Sequence, residues 1–245
     1  HLLKQVKHRS IYIQHNMAAP EFVAASTALS ADNATPWTLN PAFPTGTTTN
    51  DIVIALCIVG ASAATITPSG SFASIAKVTG TNLVAEWFWD RVESGDDTTP
   101  NFASNAGPFF VSLITYRGCL RGVTPYEDAT TNGETSSATP ASVIVTPTCF
   151  ESTTICLACI EDDTAWTTAP PPANWTSRLD VASGTGTDAR TTVIELTTSA
   201  AKGADVAAVN VGTISSSEYW ATLTLVLKPH SIGPITLPGR TFIIT

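Results

Sequence analysis

The sequence has 245 residues, of which 43% are hydrophobic and only 13% are charged, and its net charge is -8. This apolar content excludes a disordered chain, and the absence of any run of about 18 apolar residues excludes a membrane-spanning helix. Lys and Met are scarce while Thr and Val are frequent, which favours strands and excludes a long helical bundle.

The chain begins with a basic segment that differs from the rest. Residues 1–16 contain Lys4, Lys7 and Arg9 and no acid, so removing their charge of +3 leaves -11 on the remaining residues. An acidic body repels phosphate, which makes nucleic acid a poor partner. An apolar strand candidate follows at Ile11, Tyr12 and Ile13. We expect residues 1–19 to form an N-terminal arm that lies on a neighbouring subunit or in solvent.

An internal repeat organises the body of the chain. Residues 34–39 resemble residues 138–143 at an offset of 104. Residues 51–58 resemble residues 153–160 at an offset of 102, which pairs Cys57 with Cys159. Similar matches recur in the same order along both halves. The sequence therefore predicts two pseudo-repeats of about 104 residues, spanning about 20–123 and 124–229.

Each pseudo-repeat contains a series of short strand candidates separated by Thr, Gly, Pro and Asn. Two apolar runs, 51–59 and 154–160, are predicted to be central strands buried on both faces. Asn132-Gly133 is a candidate hairpin turn. The strands predicted in the first half are Glu21–Leu29, Trp37–Leu39, Asp51–Val59, Phe72–Val78, Leu83–Val92, Asn101–Ala103 and Phe109–Arg117.

These strands predict an all-β fold: an antiparallel β-sandwich of jelly-roll type that occupies residues 20–229. Two tandem immunoglobulin-sized sandwiches are the alternative. Residues 230–245 form a C-terminal arm outside the repeat, with a strand candidate at Phe242, Ile243 and Ile244. Because an exposed apolar strand favours aggregation, we expect this strand to pair with its own sheet or with a neighbouring subunit.

Catalytic groups are scarce in the body of the chain. Three of the four histidines lie in residues 1–16 and the fourth is His230, so residues 17–229 lack the base that Ser-His-Asp or Cys-His catalysis needs. We therefore predict no enzymatic activity, no cofactor and no metal site. A glycosidase that uses one of the acidic pairs is a third and weaker hypothesis. The acidic groups are 96–97, 127–128 and 161–163.

Cys156 and Cys159 have the spacing of redox and zinc motifs but lie within an apolar strand candidate. Positions three apart on a strand face opposite sides, so the two sulfurs are predicted to be separate structural thiols. Among the tryptophans, Trp166 lies in an acidic loop beside Asp162 and Asp163 and is predicted to be the most exposed. These three residues are the candidates for contact with a partner or a glycan.

Several stretches of the sequence together resemble phage virion-associated β-sandwich proteins: an Asp-Ile-Val-Ile-Ala-Leu strand at 51–56, a Thr-Pro-x-Gly-x-Phe turn at 67–72, a Trp-containing strand at 83–91, Tyr-Arg-Gly at 116–118 and Pro-Ala-Asn-Trp-Thr at 172–176. The resemblance covers about 20–229 and implies a jelly-roll-like module on a capsid or tail, with no catalytic residues.

The first functional hypothesis is therefore a non-enzymatic virion protein, a decoration or cement subunit on the capsid surface. It would bind the major capsid protein through its arms and sheet edges, and would form a homo-oligomer such as a trimer. Neither a membrane nor nucleic acid is an expected partner. The alternative is a glycan-binding module of a tail fibre or adhesin.

Overall fold

The computed structural model describes residues 18–26, 29–31, 37–162, 164–183, 189–197 and 201–230. Within these ranges the chain forms strands and no helix, so the predicted all-β fold is confirmed. The strands of the first half are β1 Glu21–Ala25, β2 Leu29–Ala31, β3 Trp37–Leu39, β4 Ile52–Val59, β5 Ile66–Pro68, β6 Ala73–Thr79, β7 Val84–Arg91, β8 Phe102–Ser104 and β9 Phe109–Arg117. Those of the second half are β10 Tyr126–Ser137, β11 Thr153–Ile160, β12 Trp166–Thr168, β13 Trp175–Ala182, β14 Arg190–Leu196, β15 Thr213–Ile214 and β16 Glu218–Leu227.

Two large antiparallel sheets form the frame of the molecule. The strand order of the first is β1-β9-β4-β7-β6, with β2 also paired to β9, and that of the second is β10-β16-β11-β14-β13. In both sheets the first strand of that half of the chain pairs with its last strand, and the long buried strand lies in the middle. The two halves thus build their sheets in the same order.

The two large sheets pack face to face as a sandwich. One continuous core joins Ile54, Leu56 and Trp87 of the first sheet to Leu157 and Leu223 of the second. At the two sides of the sandwich β1 contacts β13 and β10 contacts β6, while the central strands β4 and β11 contact each other. Each half therefore presents its first strand to the edge strand of the other half.

The outer face of each large sheet is also covered. The small sheet β3-β8-β5 covers the first sheet, and β12-β15, with bridges at Ala141–Asn210 and Val145–Val206, covers the second. Every residue of β4 and of β11 is buried. This confirms the prediction that the two apolar runs form central strands with both faces inside.

Two expectations about local structure are wrong. Asn132-Gly133 lies within β10 instead of forming a hairpin turn, because the register shift between Asn132 and Thr135 places one extra residue there, as at a β-bulge. The predicted equivalence of Cys57 and Cys159 also fails. Cys57 faces the outer layer whereas Cys159 faces the core between the large sheets. The jelly-roll assignment and the repeat boundaries stay predictions.

The two thiols of the CxxC spacing face opposite layers, as predicted. Cys156 packs in the outer core of the second half, and Cys159 packs between the large sheets. Burial raises the pKa of Cys156 to about 12 and that of Cys119 to about 12. Cys149 differs because its side chain is only half-buried.

We expect Cys149 to react faster than the other four thiols of the folded protein because its side chain is only half-buried, although burial and the neighbouring Glu127 charge raise its pKa as well. A thiol must reach solvent and lose its proton to react, and burial opposes both at Cys57, Cys119, Cys156 and Cys159. Labelling with Ellman's reagent followed by mass spectrometry should find the adduct on Cys149. Cys149→Ser should abolish the rapid phase, and rapid labelling of a second site would contradict the packing described above.

Candidate functional site

Trp166 is half-buried in strand β12, which differs from the exposed loop position expected from the sequence. Its Nε1 donates to both carboxylate oxygens of Asp180, at 3.1 and 3.2 Å. The Arg190 guanidinium lies 5.6 Å from the ring centroid, and a Cβ on Gly212 would lie 2.7 Å from the ring. The indole of Trp166 therefore makes its contacts with other residues of the same chain. Asp162 is half-buried in the turn after β11, and Asp163 lies outside the described residues.

The predicted arm residues also lie outside the described residues; they are Lys4, Lys7, Arg9, Ile11, Tyr12, Ile13, Phe242, Ile243 and Ile244. The described residues nearest to the two arms meet at Gly118. The backbone N–H of His230 donates to the Gly118 carbonyl at 2.6 Å, and a Cβ on Gly118 would lie 3.9 Å from the Ala19 carbonyl oxygen. The two ends of the described chain, at residues 19–20 and 229–230, therefore lie at the same end of the sandwich.

Ion pairs and hydrogen bonds fix the backbone at this end. Arg117 binds the buried Asp51 through two nitrogens, with Nε 2.9 Å from Oδ1 and Nη2 2.7 Å from Oδ2. Arg91 donates to the carbonyls of Asn50 and Leu120. These contacts tie together the start of β4, the end of β7 and the end of β9. These contacts therefore hold together the end of the sandwich where the described chain begins and ends.

A polar group crosses the interface between the two large sheets. The Tyr116 hydroxyl, on the first sheet, donates to Oε2 of Glu195, on the second, at 2.9 Å. Arg178 donates two hydrogen bonds to the same carboxylate, with Nε 3.1 Å from Oε2 and Nη2 2.7 Å from Oε1. Burial, followed by the nearby Glu195 charge, raises the pKa of Tyr116 well above its usual value. Tyr116 therefore acts as a neutral hydrogen-bond donor at neutral pH.

Arg178 and Glu195 border a cleft of about 390 Å³ between β1 and β13. Its wall includes Glu21 and Phe22 from the first half and Ser152, Arg178 and Glu195 from the second. The Arg178 guanidinium lies 5.0 Å from the centroid of the Phe22 ring. The Ser152 hydroxyl is buried and has no hydrogen-bond partner within the described structure. The cleft is thus the place where charged and polar groups of both halves meet.

The acidic pairs noted in the sequence serve as hydrogen-bond acceptors that hold loops. Glu127 accepts from the backbone N–H groups of Thr148 and Cys149. Asp128 accepts from the Thr146 N–H at 2.8 Å, and Asp97 accepts from the Thr99 N–H at 2.9 Å. Among the described residues, no group of three or more His, Cys, Asp or Glu side chains could hold a metal ion. The described ranges also contain no helix long and apolar enough to cross a bilayer.

Asp90 is the buried member of an acidic cluster beside the loop 93–97. It accepts hydrogen bonds from the Ser71 hydroxyl at 2.7 Å and from the Arg91 N–H at 2.8 Å. Burial raises the pKa of Asp90, and the neighbouring Asp96 and Glu93 charges raise it further. The folded state therefore binds the Asp90 proton more tightly than the unfolded chain does.

Asp90→Asn is expected to stabilise the protein at neutral pH. When folding raises the pKa of an acid, the folded protein becomes less stable as the pH rises from the unfolded pKa of that acid through its folded pKa. Above the folded pKa the whole cost of ionising the acid in the folded state is present. The amide lacks this penalty and can still satisfy Ser71 and the Arg91 N–H. Thermal melts of both proteins between pH 3 and 7 should converge at the acid end. A variant less stable than the parent at pH 7 would contradict this prediction.

Sequence reasoning missed the group of Tyr116, Glu195 and Arg178, because its members lie on different strands and nothing in the local sequence marks them. No protein-family model, curated protein or solved structure matches the chain. Functional conclusions therefore depend on the residues and contacts of this chain alone.

Proposed function

We propose that the protein is a non-enzymatic structural protein of a virion, a capsid decoration or cement subunit that attaches through its two terminal arms. One observation carries this proposal: residues 19–20 and 229–230 flank the same residue, Gly118, so the described chain begins and ends at one end of the sandwich. Two chain segments that depart from one end can engage a single surface together. The resemblance to virion-associated β-sandwich proteins supports the same role.

The outer strands of the large sheets favour the arms over the sheet edges as the point of attachment. Register shifts interrupt β1 and β10 at one edge of each sheet, and β6 and β13 at the other. Bulges of this kind protect an edge against pairing with another strand. The terminal strand candidate around Ile243 is then the better candidate for strand pairing with a neighbouring subunit. The proposal includes self-association, with a trimer as the first model.

The repeated strand order supports a finer proposal about architecture. In each half the five-strand path is joined by short strands on its outer side, as β3-β8-β5 in the first half. We propose that residues 20–229 form one sandwich of jelly-roll type, built from two pseudo-repeats of about 104 residues that a duplication generated. The shared core between the large sheets would then have been an interface between two copies of one unit.

Replacing the apolar triplet of the C-terminal arm tests the assembly role. The full chain is expected to form a homo-oligomer in multi-angle light scattering, and Phe242→Ser/Ile243→Ser/Ile244→Ser is expected to be monomeric with an unchanged melting temperature. Thr241→Ser/Thr245→Ser is the control in the same arm and should remain oligomeric. A monomeric parent chain, or a triple variant that stays oligomeric, would contradict the proposal.

The location on a virion needs a separate measurement. Immunogold electron microscopy with an antiserum against the purified chain should label the shells of virus particles from the source material. Label confined to tails, or particles without label, would contradict the decoration role. Antiserum pre-incubated with excess purified chain serves as the control for specific labelling.

A further inference from the structure

The sandwich has two corresponding seams where the halves meet. At the first seam β1 of the first half lies beside β13 of the second, and at the second seam β10 lies beside β6. Register relates the two seams residue by residue: Ile54 pairs with Trp89, while Ile155, on the same core face, pairs with Glu195. The corresponding residues of the first and second seams are Phe22 and Tyr126, Tyr116 and Leu227, Arg178 and Ile75, and Glu195 and Trp89.

The bulges strengthen this correspondence. The register shift in β6 falls between Ser74 and Ala76, and that in β13 falls between Ser177 and Leu179. Ile75 and Arg178 are therefore the bulged residues of corresponding strands. The backbone frame is the same at both seams, so the differences between them lie in the side chains.

The second seam is apolar and filled. Trp89 and Tyr126 contact edge to face, with ring centroids 6.3 Å apart and an interplanar angle of 84°. Ile75 packs against the same core, and Leu227 is fully buried in it. This seam resembles an ordinary hydrophobic interface between two sheets.

The first seam carries polar groups at three of these four positions. Arg178 replaces the isoleucine, Glu195 replaces the tryptophan and Tyr116 replaces the leucine. Glu195 is smaller than the corresponding Trp89, and the first seam contains the cleft of about 390 Å³. A cleft of this volume is typical of small-molecule sites. An ion pair of this burial adds little to stability compared with apolar packing, so stability alone does not account for the exchange.

The hydrogen-bonding capacity that remains in the cleft defines the chemistry of a ligand. Within the described structure Arg178 uses Nε and Nη2 for Glu195, so its Nη1 donors have no protein partner. The Glu195 carboxylate accepts three hydrogen bonds and retains about one further acceptor site. The Arg178 and Glu195 charges cancel each other, and the exposed Glu21 leaves the wall with one negative charge, which disfavours an anionic ligand. Neighbouring donors and acceptors match hydroxyl groups, which both donate and accept.

We propose that the cleft at the first seam binds a neutral, hydroxyl-rich ligand of monosaccharide size. Arg178 and Glu195 supply the polar contacts, and Phe22 with Leu196 supplies apolar wall. Ser152 lies in the same wall with an unpaired hydroxyl. The inference goes beyond the proposed attachment role and does not depend on it, because it rests on the seam alone.

Saturation-transfer NMR on the full chain tests this proposal, with glucose, galactose, mannose and N-acetylglucosamine as neutral probes and gluconate and glucosamine as charged ones. At least one neutral probe is expected to bind. Arg178→Lys should weaken that binding about tenfold, because the ammonium keeps the charge opposite Glu195 but loses the guanidinium fork. Lys77→Arg, a charge-conserving change on β6 away from the cleft, is the control and should bind as the parent does.

A second variant gives the first seam the apolar residue types that the second seam has at Ile75 and Trp89. Arg178→Ile/Glu195→Trp should abolish binding, and circular dichroism reports whether it folds; Arg178→Lys decides the outcome if it does not. Three observations would each overturn the proposal: no transfer from any neutral probe, tighter binding of a charged probe, or binding unchanged in Arg178→Lys.

Discussion

Trp87→Ala is expected to lower the free energy of unfolding by about 4 kcal/mol, because Trp87 has the largest fully buried side chain among the described residues. Trp87 is fully buried on β7, between Leu56 of β4 and Ala76 of β6 in the first sheet, and it belongs to the core shared with the second sheet. Its removal leaves a cavity in the shared core, which strands on both sides restrain from collapsing. Urea unfolding followed by far-UV circular dichroism measures the change.

Trp87→Phe separates the effect of volume from that of the indole N–H. The Trp87 Nε1 is buried without a hydrogen-bond partner among the described residues, so the ring carries a desolvation penalty that phenylalanine lacks. We expect Trp87→Phe to cost much less than Trp87→Ala. Equal losses in the two variants would contradict this expectation, because they would show that the indole N–H makes a stabilising contact.

Glu195→Leu is expected to cost about 3 kcal/mol, because it removes the shared acceptor of Arg178 and Tyr116 and leaves a guanidinium in the seam without its counter-charge. The Glu195 side chain is 10% exposed and that of Arg178 is 30% exposed, so solvent only partly compensates the cation. Differential scanning calorimetry at pH 7 should show a lower melting temperature than that of the parent.

A double-mutant cycle supplies the control for this prediction. Tyr116→Phe alone should cost about 1 kcal/mol, since it removes one hydrogen bond to a charged group while keeping the ring. In the Glu195→Leu background the same change should cost almost nothing, because the hydroxyl no longer has its acceptor. Additive losses would contradict the 2.9 Å hydrogen bond between Tyr116 and Glu195.

The sequence was sufficient to predict the strands whose pattern is local. Trp37–Leu39 and Phe109–Arg117 have the predicted bounds, and β4 and β11 are the doubly buried strands that their uninterrupted apolar runs indicate. The prediction of a hairpin turn at Asn132-Gly133 was wrong because the same dipeptide suits both a tight turn and a β-bulge. Pairing with the partner strand β16 decides between the two. Residues of that partner are about 90 positions away in the chain.

The candidate site formed by Tyr116, Glu195 and Arg178 could not be predicted from the sequence for a related reason. Tyr116 and Glu195 are 79 residues apart and belong to different sheets, so their contact depends on how the two sheets stack. Composition and periodicity specify which face of a strand is buried but not which residue lies opposite it in the next layer. The burial of Trp166 could not be predicted for the same reason, because the residues that contact its ring lie on other segments of the chain. These residues are Asp180, Arg190 and Gly212.

The pairing of the first strand with the last strand in each half has a consequence for biosynthesis. The first sheet acquires its β1–β9 pairing only when residue 117 has been made, and the second acquires its β10–β16 pairing only at residue 227. Until then the inner face of the first sheet, including Ile54 and Leu56, lacks its cover. Such long-range pairing slows folding, and exposed apolar faces promote aggregation. The growing chain thus depends on chaperones or on rapid completion of its second half.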